Sequence, residues 1–404
     1  MKKTVIILLL ACSLAPVAAQ SLAECVRIAR ENNLDIQVAD LQVQRAKRME
    51  GSWFAMEKTE LSLSQDPTSG GSPDNALTLS QRFNFPTFYS ARRKQLKAES
   101  QVEQSRRDFV ESELTRDVSA AYCTLLLWQH IESLLITNDS VLDAFVSTAD
   151  IRLHNGETNQ LELMNARRML AENRVQLREA QDAKTAATLM LQRLMNTTDT
   201  ITPTDDYQCI KQTKDAWSFS SSPQGKLAES EQLLSQQNLS VAQQELLPSL
   251  DVGIRYQCVI PGINPYDVDR SRFDGGNWMG FEVGLSFPLF YGSQRAKRDA
   301  AKMDVDIAQN RREQAEHLTD AELLIAGQSV ATARHTYEYY QEEGLAAARE
   351  MRRLSCLEYE AGEINYLEHV QNLASALDIE LAGAKAIDAL NQAIIQLNYI
   401  KGNL

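Results

Sequence analysis

The residues of this 404-residue chain best able to hold a metal or move a proton are its histidines, cysteines and carboxylates. His130, His154, His317, His335 and His369 stand apart, and none has a partner at ligand spacing. No His-Glu-x-x-His run, phosphate-cradling loop or GxGxxG turn occurs. His369 lies beside Glu368, a pair that reads as a tip or surface feature and not as a metal site. Asp and Glu are abundant but fall along charged segments, as on solvated helix faces. No nucleophile stands with a base, so no catalysis and no cofactor are expected. Of six cysteines, Cys12 lies in the N-terminal apolar run. Cys25, Cys123, Cys209, Cys258 and Cys356 are odd in number, scattered and without CxxC spacing. Free buried thiols are therefore expected before a disulfide framework, with one incidental bridge left open.

Two carboxylates do recur at a fixed place. "HNGETNQLELMNA" (154–166) aligns with "EAGEINYLEHVQN" (360–372), pairing Gly156 with Gly362, Asn159 with Asn365 and Glu162 with Glu368 at an offset of 206. A second landmark repeats at an offset of 202: Phe85, Pro86, Phe88 and Tyr89 return as Phe287, Pro288, Phe290 and Tyr291. Two landmarks at similar offsets mark a duplicated unit of about 200 residues. The chain divides into a segment 1–19, a first repeat 20–196, a connector 197–225 rich in Thr, Ser, Asp and Pro, and a second repeat 226–404. Each repeat runs helix, two alternating segments, Phe-Pro-x-Phe-Tyr, a very long helix, a glycine-centred break and another helix.

The elements that must position these residues are legible from periodicity. Segments 77–86, 250–258 and 279–288 alternate apolar and polar residues, and 59–65 does so weakly. Period two means β-strand, and lengths near ten residues match a tilted strand crossing a bilayer. The competing reading is a soluble sheet with one face on a core. Only four strands occur, as two hairpins far apart in sequence, and no separate apolar layer is available to cover them. Residues 65–75 and 259–277 have the Gly/Pro/Asp chemistry of surface turns. From Thr87 to Leu153 there is neither proline nor glycine, which allows a helix of about 100 Å at ~1.5 Å per residue. Gly292–Ala361 is a second long span, interrupted only by Gly327 and Gly344. Val370, Leu373, Leu377, Leu381, Ala384, Ile387, Leu390, Ile394 and Leu397 form a coiled-coil stripe. Ala180, Ala183, Ala187 and Met190 form a similar one.

Lys2 and Lys3, the run "TVIILLLACSLA" and "PVAAQ" compose a secretory signal cut near Ala19 or Gln20. Cys12 sits in a loose lipobox, so lipidation there stays open. No later run reaches the ~18–20 apolar residues of a membrane-spanning helix. The net charge of −13 argues against nucleic acid as a partner. Four strands cannot close a membrane barrel, since the smallest have about eight, and an open edge in lipid leaves backbone groups unpaired. Strands that span would have to be shared among several chains. Proline then ends each strand and sets φ for the turn into the helix, and the flanking aromatics suit an interfacial girdle.

The chain resembles the TolC-type outer membrane efflux proteins over essentially its full mature length. The resemblance rests on "SLAECVRIARENN" (21–33), the two Phe-Pro-x-Phe-Tyr junctions, "LLPSL" (246–250) and "YEAGEINYLEHV" (359–370). It implies a mainly α fold with membrane β: long antiparallel coiled-coil helices forming a periplasmic tunnel, and four strands per protomer in a twelve-stranded trimeric barrel. It implies an outer-membrane location with a large periplasmic portion, and a passive duct opened by a periplasmic adaptor protein. An inner-membrane pump would supply the energy, on general grounds the proton-driven resistance–nodulation–division type ahead of an ATP-driven one. Carried over, Leu153, Asn155, Gly156 and Glu157 form one adaptor-contacting tip, and Tyr359, Gly362, Glu363 and Ile364 the other. Leu153 stands where the family usually has an aromatic. Glu162, Glu368 and Gln371 fall at the tunnel-mouth gate, Gln371 where relatives can carry a second carboxylate. The alternative reading of both glutamates is an ordinary helix-start carboxylate. The alternative functions are a soluble periplasmic coiled-coil scaffold and a periplasmic hydrolase, the latter without a marked pocket.

Overall fold

A computed structural model describes residues 20–67, 73–212, 217–258, 278–287 and 291–403. The signal segment with Cys12, residues 68–72, the turn 259–277, and Pro288 and Phe290 of the second junction lie outside the described residues.

Helix α1 (Leu22–Asn32) opens at Ser21, whose hydroxyl accepts the Glu24 amide. Asn33 separates it from α2 (Leu34–Met49): its Oδ1 takes the amides of Asp35 and Ile36, and its Nδ2 donates to the Leu194 carbonyl. The proline-free stretch forms one helix, α3 (Pro86–His154). Pro86 is its first residue, where no amide donor is needed. α4 (Gln160–Met195) and α5 (Pro223–Gln244) follow. The second long span gives α6 (Gly292–Tyr339) and α7 (Leu345–Glu360). Gly327 leaves α6 intact, whereas Tyr340–Gly344 form a π-turn between the two helices. Gly344 is buried there, and a Cβ on it would lie 3.0 Å from the Tyr340 ring. α8 (Tyr366–Lys401) closes the chain. Its Gly383 likewise lets Leu345 approach, with a Cβ there falling 3.1 Å from Leu345 Cδ2.

The chain forms two compact units, and each draws segments from both sequence repeats. The first comprises the described residues up to Val38, Phe109–Ser222 and those from Leu318 onward. Its core joins Cys25, Ala29 and Ile36 to Val118, Tyr122, Leu125, Leu191 and Met195. Buried aliphatics of this size contribute roughly 1.5–3 kcal/mol each. The α8 stripe is buried at Leu373, Leu377, Ala384, Leu390, Ile394 and Leu397, but Asn391, Ile395, Asn398 and Ile400 are buried too. The helix is thus enclosed beyond one stripe, because the connector also packs on it. Tyr207 donates to the Ala384 carbonyl, and the Asn391 amide pairs with the backbone of Gln208 and Ile210. On α4, Ala180 and Ala187 are buried as expected, while Met190 is exposed and the buried face continues at Leu191 and Met195. Cys25, Cys123, Cys209 and Cys356 are free thiols.

The second unit, Ala39–Asp108 and Pro223–His317, carries one four-stranded antiparallel sheet in sequence order. Its strands are β1 (Glu60–Pro67), β2 (Pro73–Phe83), β3 (Ser249–Cys258) and β4 (Trp278–Ser286). β2 runs from Pro73 to Phe83 and stops short of the expected end at 86, because the Phe85 carbonyl instead accepts the Phe88 amide and starts α3. The register stacks Leu61, Leu79, Ile254 and Phe281 in one row and Leu63, Leu77, Tyr256 and Met279 in the next. These apolar rows are not covered: Leu61 is 65% exposed, Ile254 51% and Phe281 87%. The other face is polar. Arg82 Nε lies 2.7 Å from Asp251 Oδ1, and Ser286 bonds the same carboxylate.

The first junction is tied locally. Tyr89 is buried, its hydroxyl accepts the Asn84 amide, and its ring lies 4.8 Å from that of Phe54. It therefore serves the turn itself, which corrects its expected place in an outward girdle. Phe85, Phe287 and Tyr291 are exposed.

Candidate functional site at the hairpin tips

Both glycine-centred breaks lie in the first unit and share one construction. Gly156 and Gly362 have φ of 76° and 77°, a left-handed conformation that costs any residue with a Cβ. At the first tip the Gly156 amide donates to Leu153 O and the Glu157 amide to Arg152 O. At the second, Gly362 donates to Tyr359 O and Glu363 to Glu358 O. These pairs satisfy the last carbonyls of α3 and α7 in the manner of a Schellman cap. Three residues on, Asn159 and Asn365 accept the amides of Glu162 and Glu368 and start α4 and α8. The repeated Gly-Glu-x-Asn-x-Leu-Glu string is thus a helix stop followed by a helix start. The two asparagines belong to the aligned motif, and their capping role is what the spacing encodes.

The equivalent glutamates part company in their surroundings. Glu368 is exposed, as are Gln371, Asn155, Glu157 and Glu363. Glu162 is only 8% exposed. Its Oε1 accepts the Tyr359 hydroxyl at 2.7 Å and lies 3.8 Å from Arg152 Nη1, and its other oxygen takes the Thr158 hydroxyl. Tyr359 is buried and belongs to α7, so this bond joins the second hairpin to the first. Burial first, then the Glu162 contact, push the Tyr359 phenol up to about 12. It stays a donor at all physiological pH. The Arg152 guanidinium sits 5.1 Å from the centre of the same ring, within cation–π range.

Behind this bond lies an apolar cluster of Phe145, Ala149, Leu163, Ala166 and Tyr359, against which Leu153 and Ile364 are partly buried. His369 is buried here as well, which corrects the surface half of its expected placement. No side-chain group suited to hold a metal ion occurs among the described residues. A groove of about 650 Å³ opens alongside, lined by Phe145, Arg152, Glu157, Cys356, Tyr359 and Glu360 among others. Arg152, Thr158 and His369 complete the tip; Thr158 and His369 carried a sequence signal, their place inside the duplicated motif, and Arg152 carried none.

Helix hairpins ending in matched caps, on a chain that also carries an uncovered four-stranded sheet, are an arrangement that can be compared with known proteins. Residues 220–403 match the sequence profile of a family described as outer membrane efflux protein. The second half of this chain is thus similar to outer membrane efflux proteins. No curated protein sequence matches the chain. Among solved structures, the outer-membrane channel OprN is similar with a TM-score of 0.77 at 17% identity, covering 95% of this chain and 90% of that one. The open state of the Neisseria gonorrhoeae MtrE outer membrane channel matches at 0.77 and 16% identity, covering 94% and 88%. The Campylobacter jejuni CmeC outer membrane channel matches at 0.73 and 16% identity, covering 96% and 86%. The efflux-protein fold therefore extends across the first repeat too.

Proposed function

We propose that this chain is the outer-membrane channel component of a tripartite efflux or secretion system. The observation that supports it best is the sheet: four strands with an exposed apolar face on one side and a polar face on the other. In water that face would be an association hazard. In a bilayer it meets lipid, and three chains of four strands supply a closed twelve-stranded barrel with no edge. The polar face, with Arg82 and Asp251 paired, then lines a wet lumen. The helices continue the duct into the periplasm. Transport through it is passive, with energy from an inner-membrane pump, the proton-driven resistance–nodulation–division type ahead of an ATP-driven one.

The hairpin tips are the adaptor-docking and gating end. Asn155, Gly156 and Glu157 on one tip and Gly362 and Glu363 on the other are exposed and available to an adaptor, with Leu153, Tyr359 and Ile364 shaping the turns from within. Glu368 and Gln371 fit the tunnel mouth, where a trimer would present a ring of three Glu368 carboxylates that favours cations. Glu162 is engaged inside its own chain. It acts as a latch, holding the second hairpin on the first through Tyr359.

Light scattering on the particle extracted from outer membranes in mild detergent tests the reading. A protein mass of three mature chains is expected. A monomer released without detergent would overturn the shared barrel and favour a soluble periplasmic scaffold.

A further inference from the structure

His369 is 3% exposed and sits one residue after Glu368. Its ring lies flat on Tyr359, with centroids 4.4 Å apart and planes at 6°. The Phe145 ring of α3 tilts against it at 5.3 Å. Nδ1 is 2.8 Å from Ser355 Oγ and 3.0 Å from the Ser355 carbonyl oxygen, and Ser355 is itself buried. A neutral imidazole is accommodated by these contacts. An imidazolium would bring a full charge into a site shielded from water.

The charged and titratable groups around it are few. Tyr359, Cys356 and Glu360 face it from α7, and Arg152 stands on the Tyr359 ring from α3. Glu162 of α4 lies beyond the Tyr359 hydroxyl, and α8 itself contributes Tyr366 and Glu368. The Ser355 carbonyl and Glu360 favour the protonated ring, but burial outweighs them and holds the imidazole below its usual 6.5. The neighbour it stacks on is the same Tyr359 that latches Glu162 across the hairpins.

We propose that His369 is a proton-responsive switch of the tip: neutral, it seats Tyr359 on Glu162, and protonated, it unseats that ring and frees the second hairpin from the first. The proposal rests on the gating role of the tips and assigns that site its regulation. The sign follows from the direction of the shift. The closed tip holds its full contribution above the ordinary histidine value of 6.5 and loses it as pH falls below that value toward the lowered one. Acidification of the periplasmic side is the stimulus.

The test uses the detergent-purified full chain and its His369→Asn variant, in which a neutral amide replaces the Nδ1 position and cannot take up a proton. Glu368→Gln serves as the neighbouring-carboxylate control. In planar bilayers, the open fraction of the wild-type channel should rise severalfold between neutral pH and about pH 5. The rise should persist in Glu368→Gln and vanish in His369→Asn. A rise that survives His369→Asn, or follows Glu368→Gln, overturns the switch. Hydrogen exchange read by mass spectrometry needs no conduction. Relative to the intrinsic exchange rate at each pH, the backbone amides of residues 157–163 should lose protection at acid pH in wild type only. Unchanged exchange there overturns the coupling even if the pore conducts, whereas acid-sensitive exchange in a chain without a pore would spare the switch and sink the duct.

Discussion

The two hairpin tips are near copies in sequence and opposites in environment. Both stop on a left-handed glycine and restart on a capping asparagine with glutamate three residues later. Yet Glu162 is enclosed and bonded by Tyr359 and Thr158 beside Arg152, while Glu368 faces solvent. At the repeat offset of 206, the counterpart of Tyr359 is Leu153 and that of Arg152 is Glu358. A leucine cannot donate to Glu368, and a glutamate would repel it. Leu153 has no hydroxyl to offer, so the tyrosine–glutamate bond of one tip has no counterpart at the other among the described residues. The backbone motif fixed the turn twice, and the residues just before the glycine decided what each glutamate does.

Substitutions can break or sharpen this contrast. Glu162→Ala leaves the buried Tyr359 phenol without its acceptor and takes one of two carboxylates from Arg152, at roughly 1.5–3 kcal/mol for a charge-assisted bond. Glu368→Ala removes only an exposed first-turn carboxylate, at about 0.3–1 kcal/mol. Thermal unfolding of both variants should separate them by several degrees, and equal losses would mean the buried bond is not made. Gly156→Ala and Gly362→Ala should each cost about 1 kcal/mol through the left-handed turn, and they should match one another, since this part of the motif is symmetric. Tyr359→Phe keeps the ring and removes the hydroxyl, for about 1 kcal/mol. It should raise spontaneous channel opening in bilayers while leaving trimer mass unchanged. Leu153→Tyr is the smallest change and the sharpest: it gives the first tip the phenol that Tyr359 supplies from the second, and a bond from it to Glu368 should lower spontaneous opening slightly. That gain should disappear in Leu153→Tyr with Glu368→Gln.

The pH behaviour of the latch supplies an independent check. Tyr359 ionises at about 12 in the folded chain against 10 when free. The neutral phenol is the form the fold favours, so its contribution is complete below pH 10 and lost as pH climbs from 10 toward 12. Relative to the intrinsic exchange rate, the tip amides of wild type should lose protection across that alkaline window, and those of Tyr359→Phe should not change theirs.

The sequence by itself determined the elements and their duplication. Proline-free length made α3, alternation made the strands, and Gly-x-x-Asn spacing made both turns, because each depends on backbone conformation and on residues a few positions apart. It also determined that the strands have two unlike faces. The tertiary structure decided three further points. Residues of both repeats enter each compact unit and a single sheet, because β2 pairs with β3 across more than 160 residues of chain. Burial on α8 extends beyond the apolar stripe, because the connector returns to it through Tyr207 and Asn391. And the tip became asymmetric, with His369 inside and Glu162 latched, because a side chain's partner across 197 residues is set by packing and not by local spacing.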